Sequence, residues 1–130
     1  MALVTMKQIL NDARKGGYAL GAFEFWSYDS ARAVVKSAKE LNVPVILQVG
    51  GWEKDFMDGY KNVVSIVNMV SDFFDHPVAI HLDHSESIDE IKEALDAGFT
   101  SVMIDASAQS YEKNVKITQE VVNIAKSYGA

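Results

Sequence analysis

Short apolar runs alternate with amphipathic segments along the whole chain, and this alternation restricts the fold more than any other feature. The apolar runs are YALGAFEF, PVILQVG, PVAIHLDH and SVMIDAS, and each precedes a segment with helical periodicity. Short apolar strands without regular polar alternation are typical of parallel sheets that are covered on both faces. The sequence therefore predicts four strand and helix units joined by right-handed crossovers.

Local signals predict several helix boundaries. Thr5 is expected to cap a short N-terminal helix over Met6–Lys15. Ser87 and Glu90 are spaced as a capping box at the start of a later helix, and Gly98 lies where that helix should end. In the helix after the first strand, one apolar stripe is expected to face the core: Ala31, Val34, Val35, Ala38 and Leu41.

The number of units leaves two folds open. The 130 residues are the size of one domain, which we expect to span residues 1–130. Four units suit either an open doubly wound sheet or half of an eight-stranded (β/α) barrel, which usually has about 250 residues. Both folds place their chemistry at the carboxyl ends of the strands.

Polar side chains collect at those carboxyl ends. The alternation of strand faces places His81 and Asp83 together, opposite an apolar face, and it places Asp105 and Gln48 on the same inner side. The opposite, apolar faces are expected to pack against helices: Val45, Leu47, Val49, Val78, Ile80, Leu82, Val102 and Ile104.

Three titratable residues, His81, Asp83 and His84, lie within four positions. Burying such a group is unfavourable unless a metal or substrate offsets the desolvation, which favours a functional site. A zinc site with His84 as a ligand and Asp83 as acid/base fits this pattern. Separately, His81 could be a hydrogen-bonded core residue, Asp83 a helix cap and His84 an exposed loop residue. His76, at the far end of the same strand, is expected to be structural.

Asp105 ends the next strand. It could orient a metal ligand or occupy a second metal position, and a helix N-cap role fits its position equally well. The sequence does not separate these roles.

Composition limits the classes of partner. The chain carries 18 acidic and 12 basic residues, and its formal net charge is −6. Nucleic acids and anionic membranes need clustered Lys and Arg, so we expect neither partner. The sequence shows no signal-peptide pattern and no run of about 18 apolar residues, which predicts a cytoplasmic protein. Because cysteine is absent, any metal must be bound by His, Asp or Glu.

Five stretches together follow the pattern of one enzyme family and cover nearly the whole chain. They are LVTMKQILNDARKGGYALGAF, PVILQV, HLDHSES, IKEALDAGFTSVMIDAS and YEKNVKITQEVVNIAKSYGA. They resemble the N-terminal half of the class II, zinc-dependent fructose- and ketose-bisphosphate aldolases. The resemblance implies half of a (β/α) barrel and a lyase of carbohydrate metabolism and glycolysis.

The resemblance also implies roles for individual residues. The family's HxDHG segment supplies the acid/base aspartate and the first zinc-binding histidine, which match Asp83 and His84. His81 and Asp105 match residues near a second metal position. Zn²⁺ would polarise the ketose carbonyl and stabilise an enediolate, while the aspartate exchanges a proton with the C4 hydroxyl, giving a dihydroxyacetone-phosphate-type product. The residues implied on the side of the sugar-phosphate substrate are Gln48, Glu24 and Ser107.

The sequence departs from the family pattern on the substrate side. Glu24 replaces the asparagine of GAFN, and an acid there would repel a substrate phosphate, which favours a different sugar phosphate. Ser85 replaces the last glycine of HLDHG. The other departures are Gly50 for the serine after QV, and Ala106 and Ala108 within MIDGSH.

Other parts of the family's site have no counterpart in these residues. The remaining zinc-binding histidines and the phosphate-binding loops lie beyond Ala130, so the chain alone is expected to lack a complete active site. A natural half, an engineered half-barrel and a fragment all fit. Exposed sheet edges predict a homo-oligomer, a dimer above all, or association with a complementary half. The alternatives are a non-catalytic half-barrel and a sugar-phosphate-binding or assembly protein.

Overall fold

The computed structural model describes residues 3–130, in which helices and strands alternate after an N-terminal helix. The helices are α1 (Met6–Gly16), α2 (Tyr28–Leu41), α3 (Gly51–Phe56), α4 (Tyr60–Phe74), α5 (Ile88–Ala97) and α6 (Tyr111–Tyr128). The strands are β1 (Ala22–Glu24), β2 (Val45–Val49), β3 (Val78–Ser85) and β4 (Ser101–Ile104). This confirms the predicted units and the short first helix, which Thr5 caps.

The strands form one parallel sheet in the order β1-β2-β3-β4. With right-handed crossovers, an order that never reverses places every crossover helix on the same face of the sheet. Neighbouring helices accordingly pack side by side, α2 on α4, α4 on α5 and α5 on α6. A doubly wound sheet needs a reversal of strand order, so the structure is the half-barrel and not that alternative.

The main hydrophobic core lies between the sheet and the outer helices. The predicted apolar faces of the strands point into it, with Leu47, Ile80 and Leu82 fully buried. A second, smaller cluster lies on the inner face, where Ile9 of α1 packs on Ile46 and Ala79. The helix α1 therefore covers the inner face towards the amino ends of the strands and leaves their carboxyl ends open.

The first strand is shorter than predicted. The run YALGAFEF reads as a strand from Tyr18, but the backbone N–H of Tyr18 closes the end of α1 by donating to the carbonyl of Ala13 at 3.1 Å. Strand pairing begins only near Gly21, whose carbonyl accepts from Ile46. Phe25 then turns into the core. Local competition from the helix end limits β1 to three residues.

Two details of the helices also differ from prediction. Leu41 is predicted in the buried stripe of α2, but it is the last residue of the helix and is 73% exposed. The capping box at α5 is only half formed. Ser87 accepts from the backbone N–H of Glu90, but the Glu90 carboxylate binds other side chains and does not reach back.

The short helix α3, in the connection between β2 and α4, was not predicted. Over residues 3–130, no helix has both the length and the apolar character needed to cross a bilayer.

Candidate active site

The inner polar side chains meet at the carboxyl ends of the strands. Glu24, Gln48 and His81 lie in register on β1, β2 and β3. The amide Nε2 of Gln48 donates to Oδ2 of Asp83 at 3.1 Å. Because strand alternation aims these side chains away from the helices, they share one open face of the sheet.

A bulge at the end of β3 presents Asp83 and His84. Strand pairing is regular up to Leu82 and then shifts, so that Ser85 is the next residue paired with β4. His84 has a φ of 52°, in the left-handed region that a side chain other than glycine seldom occupies. Bulges next to active sites commonly re-aim a side chain, and this one turns His84 outward over the end of the sheet.

His84 is held by a carboxylate that directly follows the neighbouring strand β4. Its Nδ1 lies 3.0 Å from Oδ2 of Asp105, and its Nε2 lies 3.9 Å from Oδ1 of Asp83. The hydrogen bond with Asp105 and the charge of Asp83 raise the pKa of His84. Hydrogen bonds from Ser107 and His84 hold the pKa of Asp105 well below its usual range.

His81 is less accessible than His84. Its Nδ1 lies 2.8 Å from Oγ of Ser101, and its Nε2 lies 3.8 Å from Oδ1 of Asp83. Burial lowers the pKa of His81, which leaves the imidazole neutral at neutral pH. This environment agrees with the hydrogen-bonded core histidine, and it also keeps His81 within reach of Asp83.

The helix-capping roles considered for the two aspartates are wrong. Ser87 caps α5 and Ser110 caps α6. Asp105 instead accepts from the backbone N–H of Ser107 at 3.0 Å while it contacts His84. His76 lies at the other end of β3, buried and hydrogen-bonded to the carbonyl of Val43, as expected of a structural residue.

The donor set fits one part of a zinc site. A carboxylate on the Nδ1 side of an imidazole fixes its orientation and raises the basicity of the free nitrogen, as in carboxylate-histidine-zinc arrangements. His84 has this arrangement with Asp105, and its side chain is 66% exposed. Within residues 3–130, no group of three or more His, Asp or Glu side chains could hold a metal ion. Further ligands would have to come from outside these residues.

A hydrogen-bonded network that no sequence pattern predicted lies on the opposite side of the same bulge. Oγ of Ser85 lies 2.7 Å from Oε2 of Glu90, and the hydroxyl of Tyr60 donates to Oε1 of Glu90 at 2.8 Å. The only signal in the sequence was Ser85 in place of the family's glycine, and it did not identify the partners.

Comparisons with known proteins agree with this geometry. The family model described as "Fructose-bisphosphate aldolase class-II" matches residues 4–130. Fructose-bisphosphate aldolases of Geobacillus stearothermophilus and Staphylococcus epidermidis are each 45% identical to the chain over 131 residues, covering 99% of it and 46% of their own length. The chain therefore spans about half the length of these curated relatives.

Solved structures of aldolases share the fold of this chain. The YdjI aldolase from Escherichia coli K12 matches with a TM-score of 0.88 and 28% identity, over 98% of this chain and 50% of that one. Fructose-bisphosphate aldolase from Campylobacter jejuni matches with a TM-score of 0.90 at 22% identity, over 99% and 46%, which shows the shared fold. From the family match and the half-barrel that carries the HLDH segment, we conclude that the chain belongs to the class II fructose-bisphosphate aldolase family.

Proposed function

We propose that residues 1–130 form one domain that supplies the N-terminal half of a zinc-dependent aldolase site. The reaction is the reversible cleavage of a ketose phosphate or bisphosphate into an aldehyde and a dihydroxyacetone-phosphate-type product. The observation that carries the proposal is the bulge that presents Asp83 and His84 side by side, each held by a polar partner from a neighbouring strand.

Asp83 is the acid/base in this proposal. One carboxylate oxygen accepts from Gln48, while the other faces His81 and His84 at 3.8 and 3.9 Å. In the cleavage direction, Asp83 takes the proton of the C4 hydroxyl, the C3–C4 bond breaks to release the aldehyde, and the electron pair moves towards the ketone. The resulting enediolate takes a proton at C3 from solvent to become the ketone product, and Asp83 gives its proton up to solvent. In the condensation direction Asp83 returns that proton to the new C4 oxygen.

His84 is the zinc ligand, through its Nε2. Zinc supplies Lewis-acid polarisation of the ketose carbonyl when it is bound. Asp105 holds the imidazole from the Nδ1 side and fixes its tautomer, a positioning role that its 3.0 Å contact supports. His81 and Asp105 would also border a second position for the metal.

The substrate side is formed by Glu24, Gln48 and Ser107. Glu24 is the departure with the largest physical effect, because a carboxylate replaces the neutral amide of the family pattern. A negative charge there disfavours a phosphate at the adjacent end of the substrate. We therefore propose a sugar phosphate whose group nearest Glu24 is uncharged.

The partner that completes the site is a second polypeptide segment along the open edges of the sheet. Within residues 3–130, the strands β1 and β4 each pair on one side only, which leaves their outer backbone groups available. The twofold greater length of the relatives supports a complementary half-barrel as that partner. A second copy of the chain takes its place when the complementary half is missing.

A complementation assay tests the proposed function. The chain is co-expressed with the remaining C-terminal part of the Geobacillus stearothermophilus relative, and aldol cleavage is followed by coupled reduction of the triose product. We expect activity that a zinc chelator removes and that added Zn²⁺ restores. Asp83→Asn should lower kcat by about 10²- to 10⁴-fold, the usual contribution of a positioned acid/base.

The control for Asp83→Asn is Asp89→Asn, which changes an exposed acid on α5 and should leave the rate unchanged. Activity that survives Asp83→Asn or is indifferent to zinc would refute the proposal. A folded complex that binds sugar phosphate without cleaving it would instead support the non-catalytic or sugar-phosphate-binding alternative.

A further inference from the structure

The network behind the bulge is built from buried groups. Ser85 directly follows His84 and is 2% exposed, and Tyr60, at the start of α4, is 1% exposed. Both direct their hydroxyls at the carboxylate of Glu90, at 2.7 and 2.8 Å. Lys54 of α3 places its ammonium 3.8 Å from the same carboxylate. Glu90 thus links the bulge to α3, α4 and α5.

The backbone of Ser85 joins the two strands that form the site. Its carbonyl accepts from the backbone N–H of Asp105 at 2.6 Å, and Ser85 pairs with Ile104 where β4 ends. The residue before it, His84, contacts the side chain of Asp105. Ser85 therefore holds the backbone next to His84 and also the backbone of Asp105, the two residues that are in contact.

The conformation of His84 requires such an anchor. A φ of 52° is sparsely populated for residues other than glycine and persists only where the surrounding structure imposes it. On the N-terminal side of the bulge, strand pairing at Leu82 fixes the chain. On the C-terminal side, the Ser85 hydroxyl fixes the chain: it lies 2.7 Å from Oε2 of Glu90 and accepts from the backbone N–H of Ser87 at 3.3 Å.

We propose that Ser85, Glu90 and Tyr60 form a positioning network that holds the His84 backbone in its left-handed conformation and keeps the imidazole against Asp105. The three residues act from the helix side of the sheet and do not touch the substrate. The consequence for catalysis rests on the proposed function. The conformational effect does not, and it can be measured in the chain alone.

NMR relaxation of the chain tests the proposal. The variants are Ser85→Ala, Glu90→Gln and Tyr60→Phe, and the matched controls are Ser65→Ala and Glu120→Gln, which alter exposed helix residues. We expect the backbone order parameter of His84 to fall from about 0.85 to below about 0.6 in the three network variants and to stay unchanged in the controls. Long-range ¹H–¹⁵N spectra report on the imidazole nitrogens of His84. In the three network variants, the Nδ1 signal should lose the single chemical shift that the contact with Asp105 gives it.

Rescue by a conservative substitution separates positioning from simple packing. Ser85→Thr retains the hydroxyl and should keep the order parameter of His84 close to the wild-type value, whereas Ser85→Ala should lower it. If Ser85→Ala fails to fold, Tyr60→Phe still tests the network, because it removes one hydroxyl and keeps the ring.

Two results would overturn the proposal. One is an unchanged His84 order parameter in folded Ser85→Ala and Glu90→Gln. The other is a uniform loss of order over the whole sheet, which would make the network a general stabilising element. Failure of the proposed function has a different signature, because the complementation assay would then lack zinc-dependent cleavage while the order parameters of His84 respond as expected.

Discussion

Glu24 brings a third carboxylate to the end of the sheet where Asp83 and Asp105 lie. It is in register with Gln48, the residue that holds Asp83. After the hydrogen bond of Asp105 and the charge of Asp83, the charge of Glu24 contributes to the raised pKa of His84. Its influence on the site is therefore electrostatic and extends across the strands.

Neutralising this charge is expected to shift substrate preference. In the complemented enzyme, Glu24→Asn should raise kcat/KM for fructose bisphosphate about tenfold, which corresponds to about 1.4 kcal/mol of removed repulsion. The gain should shrink at high salt because ions screen the exposed charge of Glu24. Steady-state kinetics at two ionic strengths, with Glu40→Gln on α2 as the control, measure this effect. An equal or lower kcat/KM for Glu24→Asn would contradict the assigned position of the carboxylate.

The sequence predicts which residues share the site better than it predicts their contacts. Strand alternation is a local rule, so it placed Gln48, His81 and Asp83 on the inner face correctly. The contact of His84 with Asp105 depends on a register shift that no local pattern indicated. The bonds of Glu90 to Tyr60 and Ser85 replaced the predicted capping box, because packing brought α4 and the bulge within reach of its carboxylate.

The sequence predicts where the outer helices lie, but it predicts only in part which of their residues are buried. The apolar stripe of α2 fixed which face points inward, and Ala31 and Val35 are fully buried. The stripe did not show where the sheet beneath ends, so Leu41 extends past the core. Periodicity describes one helix, whereas burial depends on the elements packed against it.

This difference predicts unequal stability effects along one helix. Val35→Ala should lower the free energy of unfolding by about 1.5–3 kcal/mol, since it removes fully buried methyl groups and leaves a cavity. Leu41→Ala should change it by less than about 0.5 kcal/mol, as is usual at exposed positions. Urea denaturation of both variants, with the slope of the transition compared to wild type, gives the two values. Similar losses in both variants would mean that Leu41 is covered in solution.

The half-barrel as a whole leaves apolar surface uncovered beside β1. An apolar groove of about 390 Å³ runs beside β1, lined in part by Phe23, Val34 and Leu41. Phe23 is 49% exposed although its side chain points to the same face as the buried Leu47, with which it is in register. Along β1 the helix layer is therefore incomplete, and apolar surface next to an unpaired strand edge favours association.

The exposed edge of β1 is expected to mediate self-association. In the absence of a complementary half, we expect light scattering at about 100 μM to report twice the 14.3 kDa mass of the chain, with β1 at the interface. Phe23→Asp should return the mass to that of a monomer, because a charge in an apolar interface loses its hydration without gaining a partner. Phe73→Asp, at a 69% exposed phenylalanine on α4, is the matched control and should remain dimeric. If both variants dissociate or neither does, the dimer forms through another surface, and β1 would then remain free for a complementary half-barrel.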